Sequence, residues 1–219
     1  MREDLSRNLM AMPNTEERKQ RDIWAEETRA ALLDAARELF LEQGFQKARI
    51  EEIAERAGVT RGAFYHHFAD KTAIFDAIVV ALQSEVASFV ESRARKAEDP
   101  WARLSAGIDA YLEAASAVEF QSIVIQEGPA VLGRARFREI DEAYVLRLVT
   151  TPLARLTEAG VLECSNVGML SRMISAMVWE ASTSLSGTKS PTKSRDEARA
   201  MVTRMLESFR VRPPARRAK

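Results

Sequence analysis

Residues 50–71 read IEEIAERAGVTRGAFYHHFADK, the most informative stretch of the chain. Ile50, Ile53, Ala54 and Ala57 fall at i, i+3, i+4 and i+7, the spacing of one apolar helical face. Gly58 ends that face. Thr60, whose hydroxyl can accept a backbone N–H, then starts a second helix reaching about Phe68. Two short helices around a tight turn predict a helix-turn-helix. On a helical wheel with Phe64 at the origin, Phe68 falls at about 40°, so these two aromatics define the core side. Gly62 falls at about 160°, His66 at about 200° and Ala63 at about 260°, so all three face away from the core.

The same signals continue on either side of this stretch. Leu32, Ala36, Leu39 and Phe40 make an amphipathic first helix from Thr28, with Gly44 where a left-handed cap is expected. Ala48 and Arg49 offer no short acceptor, so the helix at Ile50 reads as poorly capped. Asp70 is an N-cap for a helix to about Ala97, and Asp99-Pro100 begins one that carries Trp101 to about Ala117. Thr151-Pro152 predicts a kink in a helix from about Arg134 to Ala159, and a further helix spans about Val167 to Ser186. Ser194 and Glu197 read as a capping box ahead of a stripe from Ala198 to Phe209. The fold class is all-α. The domains expected are a flexible N-terminal arm over 1–24, a helix-turn-helix domain over 26–86, a helical domain over 87–210 and a basic disordered tail over 211–219.

Composition narrows the class. With 9 Gly and 7 Pro in 219 residues, breakers fall below the roughly 12% of average chains. The longest uninterrupted apolar run, Ala77 to Leu82, is far short of a membrane span, and the charged first thirty residues hold no apolar leader, so a cytoplasmic protein without a membrane partner is expected. One cysteine, Cys164, can form neither an internal disulfide nor a cysteine-based metal site. No phosphate loop, HExxH run or nucleophile elbow occurs, so no catalytic residue, metal or cofactor is expected. The formal net charge is +0, from 32 Lys and Arg against 32 Asp and Glu, and only the tail is basic. Bulk charge therefore points to no polyanion.

Local motifs point elsewhere. Ala35-Ala36 with Phe40, Gly44-Phe45, Ile53-Ala54 with Ala57-Gly58-Val59, and Phe64-Tyr65-His66-His67-Phe68 ending at Lys71 resemble the N-terminal domain of the tetracycline-repressor (TetR) family of bacterial transcription regulators. The resemblance implies a DNA-binding repressor that works as a homodimer on a palindromic operator and is released by a small-molecule effector. Where the family usually has Thr followed by Ser or Thr, this chain has Ala48 and Arg49. Either Arg49 takes over the phosphate contact or the contact is absent.

The residues assign themselves to roles by chemistry. Arg61, at the start of the second helix, can pair bidentately with guanine. Gly62 allows close backbone approach, Ala63 can touch a thymine methyl, and His66 can donate to a base edge or phosphate. Tyr65 and His67 flank that face within reach of phosphate, and Thr60, which caps the helix, is expected in the same DNA-binding set. His66 and His67 diverge by about 100° and so do not form a chelating pair. Lys71 lies at the positive end of the next helix, where a cation is unfavourable unless an anion is near, so a DNA phosphate is expected beside it.

The family resemblance also implies roles for the C-terminal half. An effector, apolar or amphipathic, would lie among Trp101, Tyr111, Phe120, Gln121, Glu127, Phe137, Tyr144, Met177, Trp179 and Glu180. The dimer interface would be built from Leu170, Ile174, Met177, Ala181 and Leu185 on one helix and Ala198, Met201, Val202, Met205, Leu206 and Phe209 on the last.

Overall fold

Many strong helix formers between few breakers leave the backbone hydrogen bonds one ready partner, the turn before. A computed structural model of the chain describes residues 15–185 and 191–211. Among the described residues the helices are α1 (Thr15–Lys47), α2 (Ile50–Arg56), α3 (Arg61–His67), α4 (Lys71–Ala94), α5 (Pro100–Ala115), α6 (Gly128–Asp141), α7 (Arg147–Glu158), α8 (Val167–Ser184) and α9 (Pro191–Glu207). π-helical stretches, Phe120–Glu127 and Glu142–Leu146, flank α6. The chain divides into two compact units, Met1–Ile74 and Phe75–Lys219. Both this division and the boundary expected at 86/87 fall inside α4, and an unbroken helix leaves no linker to read.

In the first unit, Leu32, Ala36, Leu39 and Phe40 of α1 are buried with Ile53 and Ala54 of α2 and Phe64 and Phe68 around α3. Gly44 breaks α1 (φ 79°, ψ 162°) before a last turn through Lys47. The two oxygens of Glu42 accept from Arg56 at 2.7 and 2.9 Å, joining α2 to α1. Two expectations are corrected here. α1 begins at Thr15, so helix replaces the arm expected over 15–24, although its first turns are mostly exposed; residues 1–14 of that arm lie outside the described residues. The start of α2 is also better tied than its sequence suggests. Glu52, three residues into the segment, accepts from the Arg49 N–H at 3.3 Å, which is the returning half of a capping box.

The second unit buries Leu104, Ile108, Tyr111 and Leu112 of α5, Leu153 and Leu156 of α7, Leu170, Ile174 and Val178 of α8, and Val202 and Leu206 of α9. The helix continues through Pro152. Upstream, the Thr150 hydroxyl donates to the Leu146 carbonyl at 2.9 Å. α9 starts at Pro191, one turn earlier than expected, which places Ser194 and Glu197 inside the helix rather than at a capping box. Beyond α9, the Val211 N–H donates to the Val161 carbonyl at 3.0 Å, so the chain is pinned at the first residue of the expected tail; residues 212–219 lie outside the described residues. By length and composition alone α4 could cross a bilayer, but half of its apolar window is buried inside the protein, as in a core helix.

The turn between α2 and α3 depends on Gly58, at φ 68° with open space around its Cβ position. Gly58→Ala should therefore cost about 1–2 kcal/mol of backbone strain. Gly62 has ordinary helical backbone and only Thr60 Oγ1 nearby, at 3.7 Å, so Gly62→Ala should gain up to about 1 kcal/mol. Urea melts of the two variants should shift in opposite directions.

Candidate nucleic-acid interface and cavity

Thr60 caps α3 by accepting the Ala63 N–H at 3.1 Å. Phe64 and Phe68 turn inward, with ring centroids 5.8 Å apart. That anchorage presents Arg61, Gly62, Tyr65 and His66 to solvent, while Ala63 and His67 are half-buried. The exposed face carries two donors, a phenol and a bare backbone patch, the groups that read base edges and phosphates.

Arg61 on this face and Arg49 at the start of α2 are both held by acids of α2. Arg61 reaches Glu51 at 2.9 Å and lies against the Tyr65 hydroxyl at 3.4 Å; that hydrogen bond, then the Glu51 charge, raises its pKa. Arg49 donates to Glu52 at 2.6 and 3.0 Å. Arg49 and Gln43 together hold the Glu52 carboxyl below the usual carboxylate range. Glu51 and Glu52 of α2 are thus each paired with an arginine, Arg61 and Arg49.

Lys71 corrects an expectation. Its ammonium donates to the carbonyls of Phe45 (2.6 Å), Ala48 (2.8 Å) and Gln46 (3.3 Å), with the Phe45 ring centroid 4.4 Å away. The negative end of α1 supplies the counter-dipole for which a DNA phosphate was expected. Sequence spacing could not reveal this, because the acceptors lie more than twenty residues upstream.

Residues 32–78 match the family described as bacterial regulatory proteins, tetR family, and residues 101–209 match the tetracyclin repressor-like C-terminal domain. A crystal structure of a TetR-family transcriptional regulator from Pectobacterium atrosepticum superposes with a TM-score of 0.75 at 29% identity, over 87% of this chain and 98% of that one. This chain belongs to the TetR family of transcriptional regulators. It is 26% identical to the transposon Tn10 TetC protein of Escherichia coli over 67% of this chain and 74% of that protein. It is 54% identical to the transcriptional repressor BepR of Brucella suis over 25% of this chain and 26% of that protein. TetC apart, the chain spans under half the length of these curated relatives, 36% for AcrR of Shigella flexneri.

In the second unit of this TetR-family regulator, a cavity of about 630 Å³ lies among the last turns of α4, α5, α7 and α8. Of the residues expected around an effector, only Tyr111 lines it. The others serve elsewhere. Trp101 stacks under the Arg210 guanidinium at 4.9 Å, Phe120 meets Tyr111 edge-on at 6.3 Å, and Phe137 meets Trp179 at 5.3 Å. Gln121 is buried and donates to the carbonyls of Ala115 (2.6 Å) and Ser182 (2.9 Å), tying the end of α5 to α8. Glu127, Tyr144, Met177 and Glu180 lie outside the lining. Burial, then the charge of Asp141, pushes the Tyr111 phenol up; burial and Glu142 push Asp141 up to about 6.

Sequence reasoning missed the aliphatic walls and the arginines around the cavity, because arginine on a helix reads as solvated surface. The stripes expected at a dimer interface also divide. Leu170, Ile174, Leu185, Val202 and Leu206 are buried within the single chain, whereas Met201 (67%) and Met205 (48%) are exposed, together with Met169 (57%) and Met173 (52%), which the expected set omitted. Met177, Ala181, Ala198 and Phe209 are half-buried.

Two outcomes follow from the charge pairs. Glu51→Gln frees Arg61 and should tighten binding to the protein's own upstream DNA about two- to fivefold, the worth of one exposed ion pair; anisotropy titration checks it. Lys71→Met strands the end of α1 and should lower stability by about 1–3 kcal/mol in thermal unfolding while leaving the salt slope of DNA binding unchanged.

Proposed function

We propose that this regulator is a repressor that binds a palindromic operator as a homodimer in the cytoplasm and is released when a small molecule fills the cavity of its second unit. The observation that carries the reading is the exposed face of α3, held outward by Phe64 and Phe68. Arg61 reads guanine there, Gly62 admits the sugar-phosphate backbone, Ala63 and His66 meet base edges, and Tyr65, His67 and Arg49 reach phosphate. Arg61 and Arg49 exchange their carboxylate partners for DNA, which limits non-specific affinity and leaves selectivity to local contacts.

A two-fold dimer would set two α3 helices one DNA turn or a little more apart, so a palindromic site matches the symmetry. The exposed methionines supply a surface for that dimer. Met169 and Met173 on α8, and Met201 and Met205 on α9, each repeat at i, i+4 and form an outward apolar row on their helix. Methionine packs adaptably, which suits a self-complementary helical interface.

Release requires the ligand to favour one arrangement of the dimer over another. α4 is the element for this, because its last turns wall the cavity while its first residue, Lys71, is bonded to the end of α1. The double variant Met173→Asp/Met205→Asp should sediment as a helical monomer and lose specific retention of its upstream DNA. A dimer that survives the two charges, or a monomer with undiminished affinity, would overturn the interface.

A further inference from the structure

The cavity of the second unit has an apolar body and a basic mouth. Leu104 and Ile108 of α5, Val149 and Pro152 of α7 and Val178 of α8 form its walls, and Arg95, Arg103, Arg147 and Arg155 come to its edge with one acid, Glu91. The four arginines differ in how they are held. Arg103 donates to the Ala97 carbonyl at 3.0 Å, and Arg147 lies 3.8 Å from Glu91. Among the described residues the side chains of Arg95 and Arg155 have no hydrogen-bond or ion-pair partner. The Ser175 hydroxyl, also in the lining, is buried and has no hydrogen-bond partner.

We infer that the cavity takes an amphipathic anion, a molecule with an extended apolar body and one carboxylate or phosphate head. The inference deepens the ligand-responsive reading above and rests on it. The volume of about 630 Å³ falls within the range of about 300–1,000 Å³ usual for small-molecule sites. A neutral apolar ligand would fill the walls but leave Arg95 and Arg155 without a partner. A cation would be repelled by them. An anionic head supplies the missing partner, and guanidinium forks pair with carboxylate or phosphate through two parallel hydrogen bonds. The apolar chain then lies against α5, α7 and α8, where Ser175 can donate to one polar atom along it. Arg155 on α7 and Arg95, the residue after α4, give up no partner to take the head, so these two hold it.

The test uses the full chain and four probes. Uptake of the neutral fluorophore N-phenyl-1-naphthylamine, and its loss in Gly107→Leu and Ser175→Leu, shows whether the cavity binds at all. Dodecanoate, dodecyl phosphate and dodecanol are then titrated as competitors. At least one anion should displace the fluorophore about tenfold or more tightly than dodecanol, the worth of one or two charge-assisted hydrogen bonds. Arg95→Gln/Arg155→Gln should abolish that difference without weakening dodecanol, and raising the salt should shrink it. Which anion wins identifies the head. Equal binding of dodecanol and both anions, or fluorophore uptake with no competition by any of the three, overturns the anionic class while leaving a working cavity. Failure of the fluorophore to enter the unmodified chain overturns the ligand-responsive reading itself.

Discussion

α3 has seven residues, too few to hold together in water by itself. Its existence and its rotation both depend on burying Phe64 and Phe68, one turn apart, in the core of the first unit. Each such burial is worth about 1.5–3 kcal/mol, more than any polar contact the helix makes. Once those two rings are inside, the pitch of the helix leaves no choice about what faces out. Arg61, Gly62 and His66 are exposed because they cannot be anywhere else.

Electrostatics then decides how that face behaves. A chain of formal net charge +0 has little long-range field with which to draw in DNA, and acids of α2 lie directly beside Arg61 and Arg49. Pairing Arg61 with Glu51 and Arg49 with Glu52 keeps both cations positioned yet exposed, so the pairs are screened and easily exchanged. Lys71 is a different case. Its partners are backbone carbonyls at the end of α1, a fixed dipole that no ligand has to displace. One lysine and two arginines of the same unit, similar in a charge count, therefore do unlike work.

The second unit shows the same divergence between residue type and role. Its aromatic side chains pack edge-on in pairs, Phe120 with Tyr111 and Phe137 with Trp179, because large rings with few polar atoms are best used filling space among helices. The cavity is walled mainly by aliphatic residues, with Tyr111 the one aromatic ring in its lining, and is rimmed by arginine. The apolar positions of α8 divide in the same way: Leu170 and Ile174 turn inward, and Met169 and Met173, one position away, turn out.

Much of the local structure was legible in the residues alone: helices from their apolar period, the turn at Gly58, the cap at Thr60, and the orientation of α3 from two aromatics at i, i+4. These are short-range properties, set within a few residues by backbone geometry and side-chain size. Sequence alone left open everything that depends on meeting a distant part of the chain. Only packing settled that Lys71 caps α1, that Gln121 ties α5 to α8, that α8 and α9 bury Leu170 and Leu206 while exposing Met169, Met173, Met201 and Met205, and that the cavity is walled by aliphatic side chains and rimmed by arginine. Each of these is a contact between residues far apart in sequence, and a helical wheel records which way a side chain points but not what stands opposite it.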